Sequence, residues 1–345
     1  MIATALASQM LWAAVAHVGN DALAVPLTIF FLGQLAAAVQ DTSARNVLML
    51  AAVLAFGLLT KAYFLAFVPV FLALLLIALR TRGIPWQLVP VALALVLLLA
   101  APWYARNFAL YSSISGTQQS VAGIGLRQAV SAFPQIDWIR SATEFSRWSL
   151  WTGNYSFLSF SKITLDIEIW LVRAGLLIYL VFWRSIQKAE LWLWAACGCF
   201  GLSLVYQTCV TWVESHGLAR FAEPWYGQGV IICVWALCFL AFGRWPSGGR
   251  WIAAVLVVVS AWIAAMTYLA KLLPYYAGGI KMGIASAVWK WWLSDPWTAI
   301  GGVTLAPAPV VRWLLIVFNV LLIAASVAVV RELLTGSHSR RSATK

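Results

Sequence analysis

The chain is cut by short polar breaks into about ten apolar runs, near 2–17, 22–39, 46–60, 62–79, 86–104, 168–183, 190–212, 225–242, 251–272 and 310–330. A hydrocarbon layer about 30 Å thick is crossed by a helix of roughly 20 apolar residues, and irregular backbone cannot face lipid because its N–H and C=O groups would go unpaired. The runs therefore predict an all-α, polytopic transmembrane helical bundle of about ten spans. Composition agrees: 63% of the 345 residues are hydrophobic, 10% are charged, and mean hydropathy is +0.88. Soluble domains need far less apolar content. The run at 46–60 meets the next one at Lys61 with no loop between them, which reads as a tight hairpin.

Short loops rich in Lys and Arg stay on the cytoplasmic side. With the tail Arg331, Arg340, Arg341 and Lys345 inside, alternation places Arg45, Arg80, Arg82, Arg184, Lys188, Arg244 and Arg250 inside as well. The outer face then receives the long connections 105–167 and 273–309. Both mix aromatic and charged residues, as in Trp138, Arg140, Glu144, Arg147, Trp148 and Trp151, or Trp289, Lys290, Trp291, Trp292 and Trp297. That mixture predicts interfacial helices in both outer loops. With no repeat and no linker, the chain reads as a single transmembrane domain over 1–330 and a basic cytoplasmic tail at 331–345.

The net charge of +12 sits in turns between spans rather than in one soluble stripe, so membrane lipids are the expected counter-charge and nucleic acid is not an expected partner. Cys197, Cys199, Cys209, Cys233 and Cys238 fall inside spans without zinc-type spacing and read as packing residues. No Walker loop, H-E-x-x-H, G-x-S-x-G or dinucleotide fingerprint is present.

Four polar groups converge on the expected outer face, where ionisable residues near membrane depth point to function. They are His17, Asn20 and Asp21; Lys61; Trp103, Tyr104, Arg106 and Asn107; and Arg220 with Phe221 and Pro224, near Glu214, His216 and Glu223. Each has an ordinary reading: Asp21 opening a helix, Lys61 and Arg106 anchoring helix ends, Arg220 paired with Glu214 or Glu223. Taken together, the three cations suit an anionic lipid phosphate. Asp21 is then the acid available to a sugar hydroxyl, and Asp21, His17, Glu214 and His216 are the only candidates for a divalent metal; no cofactor is expected. Arg173, within the sixth run, is expected to pair with Asp166 or Glu168.

In order and spacing these segments resemble the GT-C superfamily of membrane glycosyltransferases, in its bacterial mannosyltransferase-like and aminoarabinose-transferase-like branches. A further group of bacterial membrane proteins without assigned activity shows the same signs. Asn20-Asp21, Thr60-Lys61 to Pro69, Pro102 to Asn107, and Arg220-Phe221 with Pro224 carry the likeness. The resemblance implies a GT-C-like fold in the bacterial cytoplasmic membrane. It implies inverting transfer of a sugar from a polyprenyl-phosphate donor to an envelope or lipid acceptor on the outer face. Lys61, Arg106, Asn107 and Arg220 would hold the leaving phosphate. The family's catalytic acid lies on a loop after a helix that precedes everything matched here, so the first helices are expected upstream of Met1, whose run lacks a basic anchor. An envelope-polysaccharide polymerase or ligase, and a non-catalytic transporter or assembly protein, are the alternatives.

Overall fold

A computed structural model describes residues 8, 21–81, 83–114, 123–151, 160–245, 248–280, 285–304 and 306–335. Among these residues the secondary structure is helical, with no strand. Among the described residues, seven helices are long and apolar enough to cross a membrane: Ala22–Gln40, Ala62–Arg80, Leu88–Tyr111, Lys188–Glu214, Pro224–Arg244, Gly248–Gly278 and Ala308–Leu333. The chain is a multi-pass membrane protein.

The other three expected spans differ from these seven in specific ways. The run at 2–17 lies outside the described residues. The run at 46–60 forms a helix of 17 residues, Ala44–Thr60, shorter than any of the seven, the shortest of which have 19. The sixth run begins earlier than expected, as the helix Lys162–Val181, and carries Lys162, Asp166, Glu168 and Arg173. Two helices also run on past their expected ends: one continues through Pro102 to Tyr111, another through a π-helical turn to Gly278. Short helices follow in both long connections, at Leu126–Ala132 and Trp138–Leu150, and at Ala285–Leu293 and Trp297–Thr304.

The chain divides into two compact units. The first comprises Ala13–Ser149 and Trp183–Val234; the second comprises Met1–Trp12, Leu150–Phe182 and Trp235–Lys345. Within the first unit, α1 (Asp21–Gln40) packs between α2 (Ala44–Thr60) and α8 (Lys188–Glu214), and α2 packs along α4 (Leu88–Tyr111). The short α5 (Leu126–Ala132) lies on the last turns of α8, where Ala129, Ala132 and Ile136 close over Cys209 and Val210. All five cysteines are free thiols.

One junction decides the shape of the first unit. After Thr60 the backbone goes extended for a single residue, Lys61 (φ −154°, ψ 134°), then winds as a tight 3₁₀ segment, Ala62–Phe67, into α3 (Val68–Arg80). The sequence shows why: Gly57 leaves room for the Phe64 ring, which folds back where a Cβ would stand. Pro69 then sits in the first turn of α3, where its missing N–H has no helical partner to lose. The expected loopless join at Lys61 is thus a one-residue hinge.

In the second unit, α7 (Lys162–Val181) packs against α10 (Gly248–Met266). Gly175 lets Cys238 and Phe242 of α9 (Gln228–Arg244) approach α7 closely, and the Cys238 thiol donates to the Val172 carbonyl at 3.4 Å. Small residues at such contacts replace the hydrophobic drive that is missing between helices in lipid.

Candidate functional site

The candidate site lies in the first unit, around the Lys61 hinge. The 3₁₀ segment turns Tyr63 and Phe67 onto Phe200 of α8, with ring centroids 5.3 and 5.5 Å apart, and Phe67 also meets Phe31 of α1 at 4.8 Å. These rings make an apolar floor. Lys61 stands beside it with its Nζ 5.7 Å from the Tyr63 ring centre and 5.0 Å from that of Tyr226. A lysine flanked by two aromatic faces is stabilised by about 0.5–2 kcal/mol at each.

Depth follows from helix rise. Arg45 and Lys61 are sixteen positions apart along α2, about 24 Å at 1.5 Å per residue. Phe200, level with Tyr63, lies twelve positions from Lys188, about 18 Å. Helix α8 then continues to Glu214, about 21 Å farther. The ammonium group is therefore recessed below the ends of its neighbours α4 and α8.

The segment carrying Arg220 forms a strap above this floor. Helix α8 ends in a tight turn in which the Gly217 N–H donates to the Trp212 carbonyl at 2.9 Å, with Gly217 at φ +84°, a conformation that suits glycine. On either side of Arg220 the backbone is pinned by hydroxyls of α8 and its turn. The Ala219 N–H donates to Ser215 Oγ at 2.8 Å, and the Ala222 N–H donates to buried Thr208 Oγ1 at 3.1 Å. Between the pins Phe221 packs edge-on against Trp148 of α6 (Trp138–Leu150) at 5.6 Å. Buried Pro224 then starts the 3₁₀ turn Pro224–Gly227, and that turn sets Tyr226 over Lys61. Thr208 is eight positions beyond Phe200, so the strap stands about 12 Å above the floor. Arg220 is half-buried there.

Helix α4 contributes differently. The Tyr104 hydroxyl donates to the Leu58 carbonyl at 3.0 Å, fixing α4 in register with α2. Lys61 and Asn107 both lie three positions past that bond, hence at similar depth. Asn107 is buried, at 3% exposure, whereas Arg106 is exposed and lies over Trp103 of its own helix, 5.5 Å from the ring centre. The structure thus brings Lys61 and the Arg220 strap together through Tyr226, sets Asn107 at the depth of Lys61, and leaves Arg106 beside the Trp103 ring.

Asp21 opens α1, and its side chain, like His17, lies outside the described residues. Glu214 and His216 are exposed at the α8 turn, and no three His, Cys, Asp or Glu side chains gather as a metal cage would among the described residues. Arg173 lies over Trp170 at 4.9 Å, and Glu168, one of its two expected partners, accepts a hydrogen bond from Ser260.

Several participants escaped the sequence reading. Tyr63 and Tyr226 were hidden among 27 Phe and Tyr residues, although Tyr226 stands only two positions past the singled-out Pro224. Gln228, fully buried, fastens the strap side of the unit to α6 by donating from Nε2 to the Ser149 carbonyl at 2.9 Å. Its Oε1 has no hydrogen-bond partner among the described residues. No family model, curated protein or solved structure matches the chain.

Proposed function

We propose that the chain is a GT-C-like membrane glycosyltransferase, or a portion of one. It moves a sugar from a polyprenyl-phosphate donor to an envelope or lipid acceptor on the outer face of the bacterial cytoplasmic membrane. The observation that supports this most is the recessed Lys61 ammonium, clasped by Tyr63 and Tyr226 beneath the strap that carries Arg220. A cation at that depth suits a phosphate whose isoprenoid tail stays in lipid while its sugar points toward the headgroup layer.

In this reading Lys61 neutralises the phosphate as it leaves the anomeric carbon, and Arg220 takes the charge nearer the surface. Asn107 supplies a neutral donor at the same depth. Asp21 is the candidate base that takes the acceptor hydroxyl's proton. The run at 2–17, α2 and α7 complete ten spans, with the C-terminus in the cytoplasm. The test is transfer from radiolabelled polyprenyl-phosphate sugars in membranes containing the full chain. Lys61→Ala and Arg220→Ala should each cost at least tenfold; transfer indifferent to both overturns the reading.

A further inference from the structure

Beyond the Lys61 site, the second unit buries a carboxyl that the proposed transfer does not use. Glu168 on α7 is 4% exposed, and its Oε1 accepts from Ser260 Oγ of α10 at 2.7 Å. Ser260 is itself buried. Along α10, Ser260 stands ten positions past Arg250, about 15 Å; along α7, Glu168 stands six positions past Lys162, about 9 Å. The pair is therefore set back from both cations, between α7 and α10.

We propose that Glu168 is a proton-binding acid of the membrane layer, carried as the neutral carboxyl against Ser260 and open to modification by an apolar carbodiimide. An ionised carboxylate presents about four acceptor sites, and among the described residues a single hydroxyl serves one of them. Leaving the rest without donors or a counter-charge in an apolar setting costs several kcal/mol, and such a group takes up a proton instead.

Among the described residues the surrounding charges form no ion pair with Glu168. On its own helix, Arg173 is engaged with Trp170, and Lys162 and Asp166 lie toward the end of α7. From α10 the facing group is Ser260, with Arg250 ten positions before it and Lys271 eleven after. From α9 the facing groups are Cys238, which donates to Val172, and Arg244. Arg244 lies over Tyr179, eleven positions, or about 16 Å, along α7 from Glu168. In the neutral acid one oxygen accepts from Ser260 and the acidic proton stays available for transfer. The carboxyl O–H adds across one C=N bond of a carbodiimide: the proton goes to nitrogen and the oxygen bonds to the central carbon. The resulting O-acylisourea rearranges to the N-acylurea with nothing lost or oxidised.

The experiment uses the full chain in phosphatidylcholine vesicles treated with dicyclohexylcarbodiimide, followed by peptide mass mapping and infrared spectroscopy. The expected result is an adduct on the peptide containing Glu168, several-fold less of it as pH is raised, and none in Glu168→Gln. At neutral pH a protonated-carboxyl stretch should be present, vanish in Glu168→Gln, and move to higher frequency in Ser260→Ala, which keeps the acid and removes its donor. Adducts confined to Glu214, Glu223 or Glu332, or a carboxyl stretch that Ser260→Ala leaves in place, overturn the proposal. Both readouts are independent of sugar transfer, so they stand or fall apart from the proposed activity.

Discussion

Lys61 and Glu168 each place an ionisable group inside an apolar helix pair, and they are accommodated in opposite ways. Lys61 interrupts its helix: the hinge exposes part of the side chain, two tyrosine rings flank the ammonium, and a polar strap stands above it. Glu168 interrupts nothing: α7 runs unbroken past it, and one serine closes over the carboxyl. A lysine with a flexible stem and π-faces beside it has its ammonium head held beside aromatic rings rather than closed off. A short carboxyl in a closed contact gives its charge up. The difference separates a group arranged to meet a ligand from a group arranged to hold a proton.

The sharpest way to break this contrast is to force a charge of the other sign on the closed site. Glu168→Lys should destabilise the second unit by about 3 kcal/mol, the scale of a cation at the centre of a membrane helix. Denaturant unfolding in mixed micelles would read it. Lys61→Glu, with the strap and surface nearby, should cost less than half as much; equal losses would erase the distinction. Next comes function. Lys61→Ala should reduce transfer about 100-fold, the effect of removing one donor to a developing anion, while Glu168→Gln leaves transfer within threefold. Smaller again is Tyr226→Ala, which removes one ring from the ammonium and should weaken donor binding about fivefold, near 1 kcal/mol. A raised KM with unchanged kcat is the pattern to look for.

Helix positions could be read from the sequence because apolar runs and membrane thickness fix them almost without reference to one another. The loopless join at Lys61 was legible as two runs meeting, read as a tight hairpin; its form as a one-residue hinge into a 3₁₀ segment was not. What surrounds Lys61 was not, since the 3₁₀ winding depends on Gly57 yielding space to Phe64, and Tyr226 reaches the ammonium only because Thr208 and Pro224 shape the strap. Local pattern cannot show which of many aromatic residues will face a given cation. Arg106 illustrates the converse: its charge and position invited a role in the site, but Trp103, three positions earlier on the same helix, engages the guanidinium first. Glu168 was visible only as a partner for Arg173, because its true partner is 92 positions away.

The finest test concerns the strap rather than either charged group. Thr208 is buried, and its hydroxyl takes the Ala222 N–H at 3.1 Å, one of the two backbone pins that flank Arg220. Thr208→Val keeps shape and volume but leaves that N–H without its acceptor, a loss of about 1–3 kcal/mol if the strap stays in place. The strap can avoid most of this by lifting toward water, and Tyr226 would move with it. Stability should then fall by about 1 kcal/mol or less, while transfer drops about threefold and becomes less sensitive to Arg220→Ala. Thr208→Ser, which restores the acceptor, should recover both. If Thr208→Val lowers stability alone and leaves the Arg220 dependence intact, the strap is only a structural tie and Lys61 acts without it.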